Sequence, residues 1–353
     1  MLMKIVNVIG VCVGIILLVI ALYFAFMTVT DYRPKDVVTL DVQNNIENQL
    51  KKDTKISALI YNIGYCGLDA KQDFFMDGGK GSRAESKEIA LKNLQGITEF
   101  LKSQSADFIL LQEVDIKATR SFHINEYEQL KQSLDGYSTT YCINYKVPWV
   151  PVPLSKPHGM VKSGLVTFSK YNINETNRYK YPGKEKWPRQ LALLDRCFIE
   201  SRMLVEGGKE LILINSHLSA YDKGGVIRKQ QLDFLNNYIR EEYEKGNYIV
   251  VGGDWNHFLP GTDPTIFETT MDWPEWLKEI PKEFTPEGFK WGTDKNVPTS
   301  RTVGTSYVKG ENYVSVIDGF LVSPNVEISN VKGHHLEFEY SDHNPVTLEF
   351  ILK

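Results

Sequence analysis

The sequence has little cysteine, no dominant charge and no low-complexity run, and each shortage removes a class of protein. Only four cysteines stand among 353 residues. Cys12 lies in an apolar N-terminal run, and Cys66, Cys142 and Cys197 are an odd set without the spacing of a zinc site or a disulfide framework. The three are read as buried free thiols. The 40 Lys and Arg nearly balance 44 Asp and Glu, for a formal net charge of −4. Bulk charge therefore gives the chain no sequence-independent hold on nucleic acid. Beyond Asp36 there is no repeat, no long linker and no second composition regime, so one large domain is expected. No serine sits in a nucleophile elbow and no cysteine is paired with a histidine motif, so no residue is an obvious covalent nucleophile.

Charge is also missing from Ile5 to Met27, where Asn7 is the one strongly polar residue. As a helix this run spans roughly 34 Å, enough to cross a hydrocarbon core. It ends in Tyr23-Phe24-Ala25-Phe26-Met27, a poor cleavage site for a signal peptide and a plausible interfacial aromatic belt. Residues 1–30 are thus read as an uncleaved anchor and residues 31–353 as the functional domain. Lys4 and the terminal amine precede the span, while Asp31, Arg33, Lys35 and Asp36 cancel after it. The positive-inside rule then places the N-terminus inside and the domain outside a cell membrane crossed once.

Beyond the anchor, short apolar runs recur along the chain: Ile56–Tyr61, Phe108–Leu111, Leu165–Phe168, Leu211–Asn215, Tyr248–Val251, Val316–Leu321 and Val346–Ile351. Helical spacing at Ile89, Leu91, Leu94, Ile97, Phe100 and Leu101, opened by a capping box at Ser82–Glu85, predicts one helix. Ile227, Leu232, Leu235 and Ile239 predict a second over Gly225–Tyr243. Strands outnumber helices and each helix lies between strands, which points to a layered α/β or α+β domain of two sheets with outer helices. The proline-dense segment Tyr141–Lys162, with Trp149, is expected to be an irregular surface loop.

The polar residues are concentrated at the ends of these runs. Asn62 follows the first, Gln112-Glu113 the second, Asn215-Ser216-His217 the fourth, and Asp254 and Asn256 the fifth. Val316-Ile317 runs into Asp318, and Ser341-Asp342-His343 precedes the last. One such cluster is an ordinary turn; six suggest strands converging polar groups on one point. Glu113, with Asn62 and Asp342, offers hard oxygen donors suited to Mg²⁺ or Mn²⁺. His217 and His343 are proton donors or acceptors, and Asp318 is placed to orient a histidine. Carboxylates for a metal, an Asp/His pair and no nucleophile together indicate water attack on a phosphate ester.

The ordered set Asn62, Gln112-Glu113, His217, Gly253-Asp254-Trp255-Asn256, Ile317-Asp318 and Ser341-Asp342-His343 resembles the endonuclease/exonuclease/phosphatase superfamily from about Ile56 to the C-terminus. The resemblance implies a four-layer α/β sandwich of two packed mixed β-sheets flanked by helices. It implies Glu113 as main metal ligand with Asn62 and Asp342 nearby, Asp254 and Asn256 on water or substrate, His217 on the phosphoryl oxygens, and His343 paired with Asp318. Arg228 and Gln231 fit the family's Arg-x-x-Gln pattern, and they and Arg189, from a basic loop with Arg178, Lys180, Lys184 and Lys186, are expected to contact substrate. Two positions depart from the pattern: Gly64 stands where abasic-site endonucleases carry an acid, and Ser163 where many members carry an amide. The expected partners are a phosphodiester substrate, the membrane through the anchor, and no obligate protein. A nuclease at the outer cell surface is the first reading. A sphingomyelinase-like or phospholipase C-like enzyme is the second, and an inositol-phosphate phosphatase or an inactive binding module the third.

Overall fold

The structure is a computed structural model that describes residues 1–220, 222 and 224–353. The chain begins with helix α1 (Leu2–Val29), followed by β1 (Val37–Thr39), β2 (Lys55–Asn62), α2 (Lys87–Gln104), β3 (Phe108–Asp115) and α3 (Glu126–Ser133). A hairpin of β4 (Ser138–Val150) and β5 (Gly159–Ser169) leads to β6 (Glu175–Lys180), β7 (Cys197–Leu204) and β8 (Glu210–His217). Then come α4 (Val226–Glu244), β9 (Tyr248–Asp254), β10 (Lys290–Gly292), β11 (Ser300–Arg301), β12 (Val314–Ser315), β13 (Asp318–Val322), β14 (Val326–Gly333) and β15 (Val346–Leu352).

These strands build a seven-stranded sheet, β1-β6-β7-β8-β9-β13-β10, and a six-stranded sheet, β14-β15-β2-β3-β5-β4. Each contains one parallel pair, β8 with β9 and β2 with β3, and every other pairing within it is antiparallel. A parallel pair needs a crossover, and α2 and α4 supply the two.

Period-two alternation then decides what each face touches. Ile56, Ala58 and Ile60 of β2 and Phe108 and Leu110 of β3 pack inward against Leu211, Leu213, Val250, Phe320 and Val322 of the facing sheet. The intervening Leu59, Tyr61, Ile109 and Leu111 point outward under Ala90, Leu94, Ile97 and Leu101 of α2. Ile212, Ile214, Ile249 and Val251 do the same beneath Leu232, Leu235 and Ile239 of α4. The result is four layers, helix, sheet, sheet, helix, with both sheets buried on both faces.

Two expectations need correction, and strands β6 and β7 went unread in the sequence. The first helix is capped by Ser86, whose Oγ accepts from the Ile89 amide at 3.2 Å; Ser82 instead donates its hydroxyl to the Lys156 carbonyl. Segment 141–162 is mostly the β4–β5 hairpin. Its prolines are tolerated because β4 is an edge strand whose register slips between Val147 and Val150, next to Pro148. Strands β6 and β7 gave no apolar signal because Thr176, Asn177, Arg178 and Glu200 are buried in them as hydrogen-bonded groups.

Helix α1 stands outside these layers. Its side chains are exposed apart from Tyr23, Phe24, Met27 and Thr28 near its C-terminal end, and it is long and apolar enough to cross a membrane.

Candidate functional site

Strand register sets the first row of the site. His217 at the end of β8 is level with Asp254 at the end of β9, and Asp254 is level with Asp318 at the start of β13. Neighbouring strands lie about 4.8 Å apart, so three side chains in register on one face must meet. His217 Nε2 lies 3.2 Å from Asp254 Oδ2. The two glycines before Asp254 make this approach feasible. A Cβ on Gly252 would stand 2.7 Å from the Phe320 ring and 2.8 Å from Ile60, and one on Gly253 (φ +150°) would stand 1.9 Å from the Ser216 carbonyl oxygen.

The facing sheet closes the site from the other side. Asn62 at the end of β2 donates its Nδ2 to Asp254 Oδ2 at 3.1 Å. Gln112, level with Asn62 on β3, turns between the sheets and donates to Asn215 Oδ1 at 2.8 Å. Asn215 in turn donates to the Val166 and Leu111 carbonyls. Gln112 and Asn215, polar strand-end residues in the sequence, are thus a strut that ties the two sheets together beneath the site. Glu113 falls in the β3–β5 irregularity between Leu111 and Val114 and adopts φ +56°. Bulged positions of this kind re-aim side chains at functional sites, and the Glu113 carboxylate enters the cleft.

The 341–344 segment supplies the rest. Ser341 Oγ donates to the Asn62 carbonyl at 2.8 Å and accepts from the His343 amide at 3.2 Å. The Arg301 amide holds the Asp342 carbonyl, and the Asn344 amide holds that of Thr299. So fixed, His343 places Nδ1 2.8 Å from Asp318 Oδ2 and Nε2 3.9 Å from Asp254 Oδ2. The Asp318 amide donates to Thr299 Oγ1, and its Oδ1 has no hydrogen-bond partner among the described residues. Asn256, at φ +48°, donates its backbone N–H to Asp254 Oδ1 and its Nδ2 to the Leu218 carbonyl. Asn62, Glu113, His217, Asp254, Asn256, Asp342 and His343 line one cleft of about 750 Å³. Asp318 lies behind His343.

Burial and charge set the protonation of this cluster. Burial alone would raise Asp254, but the His217 charge, its hydrogen bond and His343 hold the carboxyl well below the usual range. Burial would lower His343, yet the adjacent Asp318 and then Asp254 raise it to about 10. Burial pushes Asp318 and Asp342 up to about 6 each. Burial, then the Arg196 charge, lowers His217, whose Nδ1 has no hydrogen-bond partner among the described residues.

Two carboxylate groupings compete as a cation site. Ligand atoms of Asp254, Asp318 and His343 lie within 4.8 Å of one another. That space is already bridged by the His343 Nδ1–Asp318 hydrogen bond, so a proton occupies it. Glu113 and Asp342 are the better pair. Both residues are half-buried, and the Glu113 charge is felt at Asp342. Gly64 keeps a cradle open beside them: a Cβ there would stand 2.8 Å from Asp342 Oδ1 and 3.0 Å from Ser341 Oγ. An all-oxygen set of Glu113, Asp342 and Asn62 fits a hard divalent cation.

Sequence reasoning missed Arg120. It pairs bidentately with Asp115, lies 3.6 Å from Glu113 Oε2 and stacks 3.9 Å over the Tyr65 ring. Ser163, noted as a departure, accepts from the same guanidinium at 3.2 Å. A short-range signal was absent because Arg120 reaches its partners only through the turn after β3. Arg228 and Gln231, expected to contact substrate, are not among the residues that line the cleft. Arg228 is buried and donates to the Trp276 and Asn256 carbonyls at 2.6 and 3.3 Å. Gln231 is spent on the Ser219 amide and hydroxyl. Both fasten the loops that follow His217 and Asp254. Arg189 is exposed at the cleft rim, 3.8 Å from Glu185. Arg228→Met should therefore lower stability in urea by about 1–3 kcal/mol, because it strands buried carbonyls. A change in KM with stability intact would return Arg228 to substrate binding.

Comparison with solved structures finds this fold repeatedly. An endonuclease/exonuclease/phosphatase protein from Beutenbergia cavernae DSM 12333 matches with a TM-score of 0.59 at 16% identity, over 84% of this chain and 72% of that one. The human Nocturnin catalytic domain, solved with a bound sulfate anion, matches with a TM-score of 0.54 at 16% identity, over 89% and 97%. A Bacteroides vulgatus endonuclease/exonuclease/phosphatase protein matches with a TM-score of 0.52 at 17% identity, over 85% and 100%. At such identities the likeness speaks for the fold alone. No curated protein gives a significant sequence match. The sequence model of the Endonuclease/Exonuclease/phosphatase family matches residues 90–343, most of the chain and nearly every residue of the cleft described above. The chain belongs to that family, whose members are hydrolases acting on phosphate esters and are generally dependent on a divalent metal.

Proposed function

We propose that the protein is a membrane-anchored phosphodiesterase in which Asn62, Glu113 and Asp342 hold a divalent cation. His217, Asp254, Asn256, Asp318 and His343 would act on the scissile phosphate. The observation that carries this reading is the in-register row His217–Asp254–Asp318, met by Asn62 from the opposite sheet and by His343 from the last loop. When bound, the cation would offset the negative charge that develops on the phosphoryl oxygens. Asp254 orients the attacking water, because its two oxygens are already aligned by Asn62, His217 and the Asn256 amide. His343, its ring fixed by Asp318 through Nδ1, would offer Nε2 to the phosphoryl group, and His217 would act beside it while holding Asp254 through Nε2.

Of the two leading substrate classes, a lipid headgroup phosphodiester suits the cleft better than nucleic acid. Much of the basic loop is neutralised within the protein: Lys184 pairs with Asp195 at 2.5 Å, Lys180 with Asp36 at 3.1 Å, and Arg178 is buried on backbone carbonyls. The cleft is also lined by apolar side chains, Phe74, Phe75, Met76, Val150 and Val152. We place the domain on the outer face of the cell membrane, following the charges that flank α1.

Chelation should abolish hydrolysis of bis(p-nitrophenyl) phosphate, and Mg²⁺ or Mn²⁺ should restore it. Glu113→Gln should raise the metal concentration for half-maximal rate by at least about tenfold, the lower end of the effect of losing a metal-site carboxylate contact. Metal-independent turnover would refute the cation site. Side-by-side assays on phosphatidylcholine, sphingomyelin, plasmid DNA, RNA and inositol phosphates decide the substrate; cleavage of nucleic acid with lipid untouched would overturn the lipid reading.

A further inference from the structure

The anchor helix does not simply tether the domain; it ends against one wall of the cleft. Tyr23 Oη donates to the Trp149 carbonyl at 3.1 Å, and Trp187 Nε1 donates to Thr28 Oγ1 at 3.1 Å. The Phe24 and Trp187 rings lie 5.7 Å apart. Both tryptophans therefore sit beside the last two turns of α1. A hydrocarbon core takes about 20 helical residues, so a span beginning near Leu2 leaves the lipid at about Tyr23. Trp149 and Trp187 then lie at headgroup depth, where indole rings concentrate.

The loops carrying these residues are more apolar than a water-facing surface calls for. Trp149 is 41% exposed, Val152 44%, Trp187 58% and Leu154 86%. Scattered exposed apolar residues need no explanation, but four gathered beside a membrane span do. Lys186 belongs to the second of these loops and Lys156 lies two residues beyond the first, and lysines at this level bind anionic headgroups. A second copy of the chain would also cover an apolar patch, but the contact with α1 puts lipid there first.

We infer that the 149–154 and 184–189 loops are a bilayer-seating surface, with Leu154 and Val152 dipping into the acyl boundary. The inference rests on the reading of α1 as a membrane span. Val150, Val152, Lys184, Glu185 and Arg189 belong both to these loops and to the cleft lining. The seated domain therefore opens its cleft at the membrane surface, within reach of lipid headgroups and away from bulk solution.

Nitroxide labels test this in the full chain reconstituted into phosphatidylcholine–phosphatidylglycerol vesicles, in a Cys12→Ser background. Labels go at Leu154→Cys, at Leu18→Cys within the helix, and at Glu241→Cys on α4 as the aqueous reference. The measured quantity is the ratio of collision rates with oxygen and with a water-soluble nickel chelate. The ratio at 154 should be several-fold above that at 241 and approach that at 18. A ratio at 154 equal to that at 241, with 18 lipid-like, overturns the seating surface and leaves the span standing. An aqueous ratio at 18 removes the span and the inference with it.

Discussion

Asp254→Asn should cut phosphodiester turnover by about a thousandfold or more with the fold intact, the combined scale of losing a positioned acid–base group and its electrostatic partner. The residue is the hub of the cleft. Its Oδ2 accepts from Asn62 and His217, and its Oδ1 from the Asn256 amide. Asparagine has the same shape, so packing against Trp255 and the glycine pair is preserved. Its amide nitrogen, however, would face either two donors or a backbone N–H. Charge is lost as well, and with it the group that His217 and His343 hold ionised. Circular dichroism and the urea midpoint check the fold, and kcat checks the role. Turnover within a fewfold of the parent would take Asp254 out of the chemistry.

His343→Ala should lower kcat on the order of a hundredfold or more, and Asp318→Asn should lower it less. Asp318 does not line the cleft; it acts through its 2.8 Å hydrogen bond to His343 Nδ1, which fixes the ring's tautomer and direction. The double variant is expected to be no slower than His343→Ala alone, because the second substitution removes a partner whose target is already gone. Multiplicative losses in the double variant would show that Asp318 works independently, for instance as a cation ligand. The same measurement thus discriminates the two carboxylate groupings of the site.

Much of this molecule was legible in the order of its residues. Polar residues at the ends of apolar runs marked Asn62, Glu113, His217, Asp254, Asp318 and His343, because a strand's terminal side chains are the ones a rigid sheet can aim at a common point. The two long helices were legible from their spacing. The Ser82 cap failed because the Ser82 hydroxyl is spent on the Lys156 carbonyl, a contact distant in sequence, and the helix starts at Lys87 behind Ser86. The 141–162 segment failed for a related reason. Proline forbids a central strand but not an edge, and edge position is a property of the sheet rather than of the segment.

Arg228 and Gln231 show the sharper limit. Their spacing matched a family pattern, and the structure turns both side chains inward to hold the loops behind the row His217–Asp254–Asp318. Arg120 shows the converse, a charge beside Glu113 with no motif of its own. The sequence by itself determined an N-terminal helix long and apolar enough to cross a membrane, the layered class and which side chains could carry chemistry, since these follow from composition and from periods of 2 and 3.6 along one chain. Only the tertiary structure decided which carboxylates face a cation and which a histidine, what the arginines do, and which wall of the cleft meets α1. Those answers depend on register between strands and on contacts between separate elements, such as Asn62 with Asp254 and Tyr23 with Trp149, which no local pattern encodes.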